Sequence, residues 1–209
     1  MTEAAAAIPA WPAMSIDEAH ALLTAPGQPF EMEELVIRSV PTRTWKNVPP
    51  TLRDVLVAGR AHGERIYIVN EDERVSFEAF HRACAAFAGE LIAQGVKKGD
   101  RVAIVMRNLP EWPVAFFGAS VAGAIVTPLN AWWTGPELEY GLVDSGAKVA
   151  VVDAERLERL AEHLHNCPDL KRVYVSREDD EVANPHVAKL ESVLGAPNDW
   201  AALPDAPRR

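Results

Sequence analysis

The chain has 209 residues, of which 48% are hydrophobic and 24% are charged, and its formal net charge is −9. This composition is typical of a globular protein with one large domain or two small ones. The excess of acidic residues argues against nucleic-acid binding, and no apolar run reaches the roughly 20 residues of a transmembrane helix. The Ala- and Pro-rich start lacks the basic region of a secretory signal.

The two cysteines and six histidines favour neither a disulfide framework nor a metal site. Cys84 and Cys167 are far apart in the sequence and fit no zinc-binding pattern. His163 and His165 are two residues apart, so on a helix their side chains point to different faces. We therefore predict no metal site, and we expect a reducing, cytoplasmic location.

Residues 1–50 are predicted to form an amino-terminal arm with some structure. Ser15 and Glu18 have the spacing of a capping box, which predicts a short helix over 16–23. The apolar run that follows, at the end of 31–38, is typical of a strand.

Residues 51–177 are predicted to form an α/β sheet domain. A short helix from Thr51, a hairpin within 66–76 and a helix over 77–94 come first. Apolar strands then alternate with helices that begin near Asn108, at Thr134 and around Leu157. The predicted strands are 102–106, 124–128, 148–152 and 172–176. This alternation predicts a largely parallel sheet with helices on both faces.

Residues 178–209 break the alternation. They contain four prolines and one weak helical pattern over 186–194. We therefore predict a linker toward a part of the protein that lies outside this sequence.

A parallel α/β sheet often binds nucleotides, but the usual motifs are absent. The turn after 102–106 reads Arg107-Asn108-Leu109-Pro110 and not G-x-G-x-x-G, and the chain has no G-x-x-x-x-G-K-[ST]. It also has no G-x-S-x-G, H-E-x-x-H or C-x-x-C. The residues by themselves predict a fold and no catalytic residue.

Four short motifs follow one another between Val75 and Val152. They are Val75-Ser-Phe-Glu-Ala-Phe80, Gly95-Val-x-Lys-Gly-Asp-Arg-Val102 with Asn108-x-x-Glu111, Gly123-Ala-Ile-x-x-Pro-Leu-Asn130, and Glu137-Leu-x-Tyr-x-Leu-x-Asp-Ser-Gly-Ala-Lys148. In this order and spacing they resemble the amino-terminal part of the AMP-forming acyl-CoA synthetases, in the adenylate-forming superfamily. The resemblance implies an α/β fold that is the incomplete amino-terminal part of the large domain of such an enzyme.

The resemblance also implies a reaction for the parent enzyme. A fatty or other apolar carboxylic acid would be adenylated by ATP with magnesium and then joined to coenzyme A as a thioester. The family's phosphate-gripping loop, Y-T-S-G-T-T-G-x-P-K-G, is absent. We therefore expect this chain to bind no cofactor and to be inactive alone, with the rest of the parent chain as its partner. Exposed apolar surface would favour self-association into a homo-oligomer.

Two other functions stay open at this point. One is a stand-alone, non-catalytic binding or interaction module of the same fold. The other is the front part of a different adenylating enzyme, either luciferase-like or a peptide-synthetase adenylation domain.

Four residues are candidates for a functional role. In some relatives, arginines near the positions of Arg156 and Arg159 contact a phosphate of coenzyme A, and guanidinium groups suit phosphate geometry. The alternative is a solvated helix face on which neighbouring glutamates neutralise the pair. Trp132 and Trp133 precede the helix that begins at Thr134. Adjacent tryptophans favour packing or an interface over stacking on a ligand.

Overall fold

The computed structural model describes residues 13–205, and the chain divides into two compact units, 1–50 and 51–209. The described part of the first unit consists of helix α1 (Ile16–Thr24) and an antiparallel hairpin of β1 (Met32–Ile37) and β2 (Val40–Trp45). The Ser15–Glu18 capping box is present at the start of α1, as predicted. The second strand of the hairpin was not predicted.

The second unit contains the remaining helices and strands. In chain order they are α2 (Leu52–Gly59), β3 (Ile66–Asn70), β4 (Glu73–Ser76), α3 (Phe77–Ala93), β5 (Arg101–Val105), α4 (Glu111–Val121), β6 (Ile125–Pro128), α5 (Gly135–Ser145), β7 (Ala147–Asp153), α6 (Ala154–Leu160), β8 (Arg172–Ser176), β9 (Val187–Lys189) and α7 (Glu191–Leu194). Short 3-10 helices cover Arg60–His62, Leu164–Asn166 and Pro197–Ala202.

Five of these strands form one parallel sheet in the order β6-β5-β7-β8-β9. The connections from β5 to β6 and from β6 to β7 run in opposite directions across the sheet, so the strand order reverses between β5 and β7. Strands β5 and β7 are almost entirely buried, as expected for central parallel strands covered on both sides. The predicted fold class is confirmed.

Helices cover both faces of the sheet, and each face has its own core. On one face α3 and α4 pack on side chains such as Val102 and Ile104, with Phe87 fully buried between them. On the other face Leu138 and Leu142 of α5 and Leu160 of α6 pack on the alternate strand residues. The alternation of strand side chains between faces divides the core in this way.

The structure corrects the sequence analysis in the carboxyl-terminal segment. We expected only a weak helix over 186–194, but Val187–Lys189 forms a fifth parallel strand next to β8. Trp200 lies in a 3-10 helix and is fully buried in the core beneath α3. This part of 178–209 therefore adds to the domain. The strand is three residues long, too short to produce a periodic pattern.

Two helix starts also differ from the prediction. Helix α4 begins at Glu111 after Pro110, so Asn108 does not cap it. Helix α6 begins at Ala154, earlier than its apolar pattern indicated, because the Asp153 side chain accepts a hydrogen bond from the Arg156 N–H. Among residues 13–205, no helix is both long and apolar enough to cross a membrane.

Candidate ligand site at the carboxyl edge of the sheet

Because the strand order reverses between β5 and β7, the carboxyl ends of these two strands lie at a topological switch point, which we call the carboxyl-edge crevice. Ligands of open α/β sheets bind in such crevices, because the following loops diverge to opposite faces. Here the crevice is bordered by Arg107, which follows β5, and by Asp153 and Arg156 at the junction of β7 and α6. The loop from β6 to α5 contains Trp132 and completes the border.

Asp153 joins the two strand ends. It is 5% exposed, and its Oδ2 accepts a hydrogen bond of 2.9 Å from the Arg107 backbone N–H. Its Oδ1 caps α6 by accepting from the Arg156 N–H at 3.0 Å. One carboxylate therefore positions the turn after β5 and the helix after β7.

The two arginines predicted to contact a ligand hold the loop between β6 and α5. Arg156 is 1% exposed, and its Nε donates to the Ala131 carbonyl at 2.8 Å. Arg159 donates to the Ala131 and Trp133 carbonyls at 3.3 Å and 3.2 Å. Both guanidinium groups also pair with Glu155. The contacts of both side chains are therefore directed to the chain's own backbone and to Glu155.

The tryptophan pair divides between core and surface. Trp133 is half-buried and packs on the core beneath α5, against Gly141 and Leu129. Trp132 is 66% exposed. The Arg107 guanidinium stacks over its ring, 4.3 Å from the ring centroid. The Arg156 guanidinium lies 5.8 Å from the same centroid. Cations at these distances are attracted to the face of an indole ring.

Arg107 is the residue that the sequence analysis missed. Its side chain is exposed and has no hydrogen-bond or ion-pair partner among residues 13–205. The signal for it was present, since Arg107 directly follows the apolar run 102–106 that predicted this buried strand. The crevice thus offers an accessible guanidinium on an aromatic surface, with a second guanidinium buried behind it. Such an arrangement suits an anionic ligand with a planar group.

A second charged cluster lies where β8 meets the start of α4. Arg177 donates to the 3% exposed carboxylate of Glu111 at 2.8 Å and to Glu73 at 3.0 Å. Glu191 accepts from the Arg177 N–H at 2.8 Å. Burial raises the pKa of Glu111, and the Arg177 cation partly offsets this effect. The cluster links the end of β8 to α4, β4 and α7, and its Glu111 carboxylate is buried from solvent.

Within the described range 13–205, no three or more His, Cys, Asp or Glu side chains are placed to hold a metal ion.

The comparisons with known proteins identify the family. The family model described as AMP-binding enzyme matches residues 56–206. The chain belongs to this family. Its match covers the parallel sheet, both cores and the carboxyl-edge crevice. The resemblance inferred from the four motifs is confirmed.

Several curated relatives are CoA ligases. A long-chain-fatty-acid–CoA ligase from Yersinia pestis is 30% identical over 158 residues, which is 73% of this chain and 28% of the relative. One from Escherichia coli O6:H1 is 38% identical over 116 residues, or 55% of this chain and 20% of the relative. The 4-hydroxybutyrate–CoA ligase 2 of Metallosphaera sedula is 30% identical and is matched over 22% of its length. The chain thus spans about a quarter of the relatives that it matches.

Solved structures show the same fold. An anthranilate CoA ligase in complex with anthranoyl-AMP superimposes with a TM-score of 0.63 at 23% identity, over 75% of this chain and 29% of that one. A long-chain-fatty-acid–CoA ligase from Archaeoglobus fulgidus gives a TM-score of 0.60 at 24% identity, over 69% and 30%. At this level of identity the likeness establishes the architecture of the sheet and its helices.

Proposed function

We propose that this chain forms the amino-terminal α/β part of an ATP-dependent acyl-CoA synthetase. The complete enzyme would adenylate a fatty or other apolar carboxylic acid with ATP and then transfer the acyl group to coenzyme A. The observation that carries this proposal is the family match over residues 56–206. The CoA ligases among the relatives support it. The buried, unpaired Cys84 and Cys167 fit a cytoplasmic location.

The carboxyl-edge crevice would contribute to the coenzyme A site. Arg107 is the accessible cation, and Trp132 provides an exposed aromatic face beside it. Arg159 lies at the rim with 31% of its side chain exposed, whereas Arg156 is buried and engaged with Ala131. We therefore assign phosphate contact to Arg107 and Arg159, and we assign to Arg156 the positioning of the loop.

A titration of coenzyme A into the 209-residue chain tests the crevice, because this assignment requires the isolated chain to bind coenzyme A, whereas the sequence analysis expected no bound cofactor. We expect Arg107→Ala and Arg159→Ala each to weaken binding by about tenfold, since a charged hydrogen bond contributes about 1.5–3 kcal/mol. Arg65→Ala is the matched control, because Arg65 is exposed and its side chain has no partner within residues 13–205. Equal affinity in the wild type and both variants would contradict the assignment.

We propose that the chain alone does not adenylate. The phosphate-gripping loop is absent from its sequence, and cationic and metal clamps on the phosphates supply most of the stabilisation in this type of reaction. Carboxylate-dependent exchange of pyrophosphate into ATP should therefore be undetectable with the isolated 209-residue protein. Clear exchange would refute this part of the proposal.

One observation favours a second candidate, a stand-alone binding module of the same fold. Residues 187–202 form β9, α7 and a 3-10 helix, and they pack on the domain with Trp200 buried in its core. The intact mass of the product isolated from its native source distinguishes the two functions. A mass far above 22.9 kDa supports the synthetase, whereas a native product of 22.9 kDa supports the module.

A further inference from the structure

The cluster around Arg177 contains more carboxylates than cations. Arg177 is the first residue after β8, and its guanidinium pairs with Glu111 of α4 at 2.8 Å and with Glu73 of β4 at 3.0 Å. Glu191 of α7 accepts from the Arg177 backbone N–H at 2.8 Å. We call these four residues the Arg177 cluster. One guanidinium is therefore set against three carboxyl groups, and their full ionisation opposes like charges.

Glu111 is the most deeply buried carboxyl group of the cluster. Its side chain is 3% exposed, and its Oε2 is buried with no hydrogen-bond partner among residues 13–205. A buried carboxylate oxygen without a donor is unfavourable when it is ionised. The protonated group avoids this cost, and its Oε1 can still accept the hydrogen bond from the Arg177 Nε. Burial raises the pKa of Glu111, in agreement with this geometry.

The ionised form of Glu111 depends on a single cation. Within residues 13–205, Arg177 is the only charged side chain that forms a hydrogen bond or ion pair with Glu111. Glu73 uses the same guanidinium, so the cation is shared. The other elements that pack beside α4 contribute apolar side chains, which include Leu56 of α2, Phe87 of α3 and Ile104 of β5.

The backbone of Arg177 is strained in this arrangement. Its φ is +61°, in the left-handed region that residues other than glycine rarely adopt. Such a conformation persists where surrounding contacts hold the residue in place. Here these contacts are the bonds to Glu73, Glu111 and Glu191. When they weaken, the backbone at Arg177 can relax and the chain that follows it can move.

The chain that follows Arg177 is attached to the sheet by a short strand. Residues 178–186 form a loop that begins with four consecutive acidic residues. The loop leads into β9, which has three residues, lies at the edge of the sheet and pairs with β8. Exposed loops and short edge strands open at a lower free energy than central strands do. Segment 178–189 can therefore open while the rest of the sheet stays intact.

We propose that the Arg177 cluster is a pH-sensitive switch that holds segment 178–189 closed while Glu111 is protonated and favours its opening when Glu111 is ionised. In the open state water reaches Glu111, so its carboxyl group releases the proton to solvent with ordinary affinity. Opening is therefore linked to the release of one proton, and the open fraction rises with pH. This inference does not depend on the proposed enzymatic activity or on coenzyme A binding.

Hydrogen exchange of backbone amides, followed by mass spectrometry at several pH values, tests the switch. Peptides within 178–189 have the same sequence in the wild type and in Glu111→Gln. The ratio of their exchange rates at each pH therefore cancels the intrinsic pH dependence of exchange. The glutamine amide imitates the protonated carboxyl group. We expect the ratio of wild type to variant to rise above pH 4.5, by at most about tenfold per pH unit, and to level off above the pKa of the closed state.

Two further variants complete the experiment. Arg177→Met should speed the exchange of the same peptides at pH 7 by about tenfold or more, because it removes the only cation of the cluster. This variant tests the switch even if Glu111→Gln does not fold. Glu64→Gln is the matched control, because Glu64 is exposed and its side chain has no partner within residues 13–205. Its ratio to the wild type should stay close to one.

Three results would overturn the inference. The first is a ratio for Glu111→Gln that does not change with pH. The second is an equal change in peptides from α5, which lies on the opposite face of the sheet from α4, because the effect would then not be local. The third is exchange in Arg177→Met that matches the wild type.

Discussion

The Nε of Arg156 donates a hydrogen bond of 2.8 Å to the carbonyl oxygen of Ala131, so a buried residue of α6 holds the loop that contains Trp132. The same guanidinium lies 3.4 Å from Asp153, which in turn binds the Arg107 N–H. Three chain segments that end at the carboxyl edge of the sheet are therefore linked through one buried ion pair. The geometry of the crevice depends on this pair.

Arg156→Ala should lower the free energy of unfolding by about 3–5 kcal/mol, because it leaves the buried carboxylate of Asp153 without its cation. Arg156→Lys should recover only part of this loss, since one ammonium group lacks the planar fork that reaches both Ala131 and Asp153. Urea unfolding measures the free energy of unfolding of both variants. Arg65→Ala should change stability by no more than about 0.5 kcal/mol, and a loss that small for Arg156→Ala would contradict the structural role.

Trp200 tests whether the carboxyl-terminal segment is an integral part of the domain. The side chain is fully buried, so Trp200→Ala should lower the free energy of unfolding by about 3–5 kcal/mol through a lost core contact and a cavity. Trp132→Ala is the control, because Trp132 is 66% exposed and its removal should cost far less. Equal melting temperatures for the two variants would indicate that the segment does not pack on the core.

The contribution of Glu111 to the free energy of unfolding should decrease as pH rises. Burial raises the pKa of Glu111 above its ordinary value of 4.5, so the folded chain binds this proton more tightly than the unfolded chain. The resulting stabilisation is complete below pH 4.5 and is lost as pH rises through the folded pKa. The stability of the wild type relative to Glu111→Gln should therefore fall with rising pH, as urea unfolding at several pH values would show.

Glu78 provides a control with the opposite sign. Hydrogen bonds from Arg60 lower the pKa of Glu78, so its stabilising contribution is present above pH 4.5 and is lost as pH falls. The advantage of the wild type over Glu78→Gln should thus shrink in acid, whereas its advantage over Glu111→Gln should grow. Parallel pH profiles for the two pairs would contradict the assignment of Glu111.

The close packing of α4 against α3 requires a glycine at position 118. A Cβ atom at this position would lie 2.8 Å from the Phe87 ring and 3.2 Å from the Cys84 carbonyl oxygen. Gly118→Ala should therefore destabilise the fold by about 1–3 kcal/mol, even though alanine is the better helix former. Gly89→Ala should instead stabilise the fold by about 0.5–1 kcal/mol, because no heavy atom lies within 4 Å of the added Cβ atom. A stabilising effect at both positions would show that the helices can move apart.

Local signals in the sequence predicted much of the fold. The apolar runs at Val102–Val105 and Lys148–Val152 became buried parallel strands, and the Thr134 capping box starts α5. These features depend on neighbouring residues only, because strand burial and helix capping each produce a pattern within a few positions. The order of the motifs was also sufficient to indicate the family.

The contacts between distant segments were decided only by the tertiary structure. Arg107, Trp132 and Arg156 belong to three different loops or helices, and no sequence spacing relates them. They lie close together because the carboxyl ends of parallel strands are at the same edge of the sheet. Which strands are neighbours depends on the strand order, and that order is a property of the whole domain. The sequence by itself therefore determined the central strands and helices and the family, whereas the packing of the sheet determined the short strand β9 and which side chains share a site.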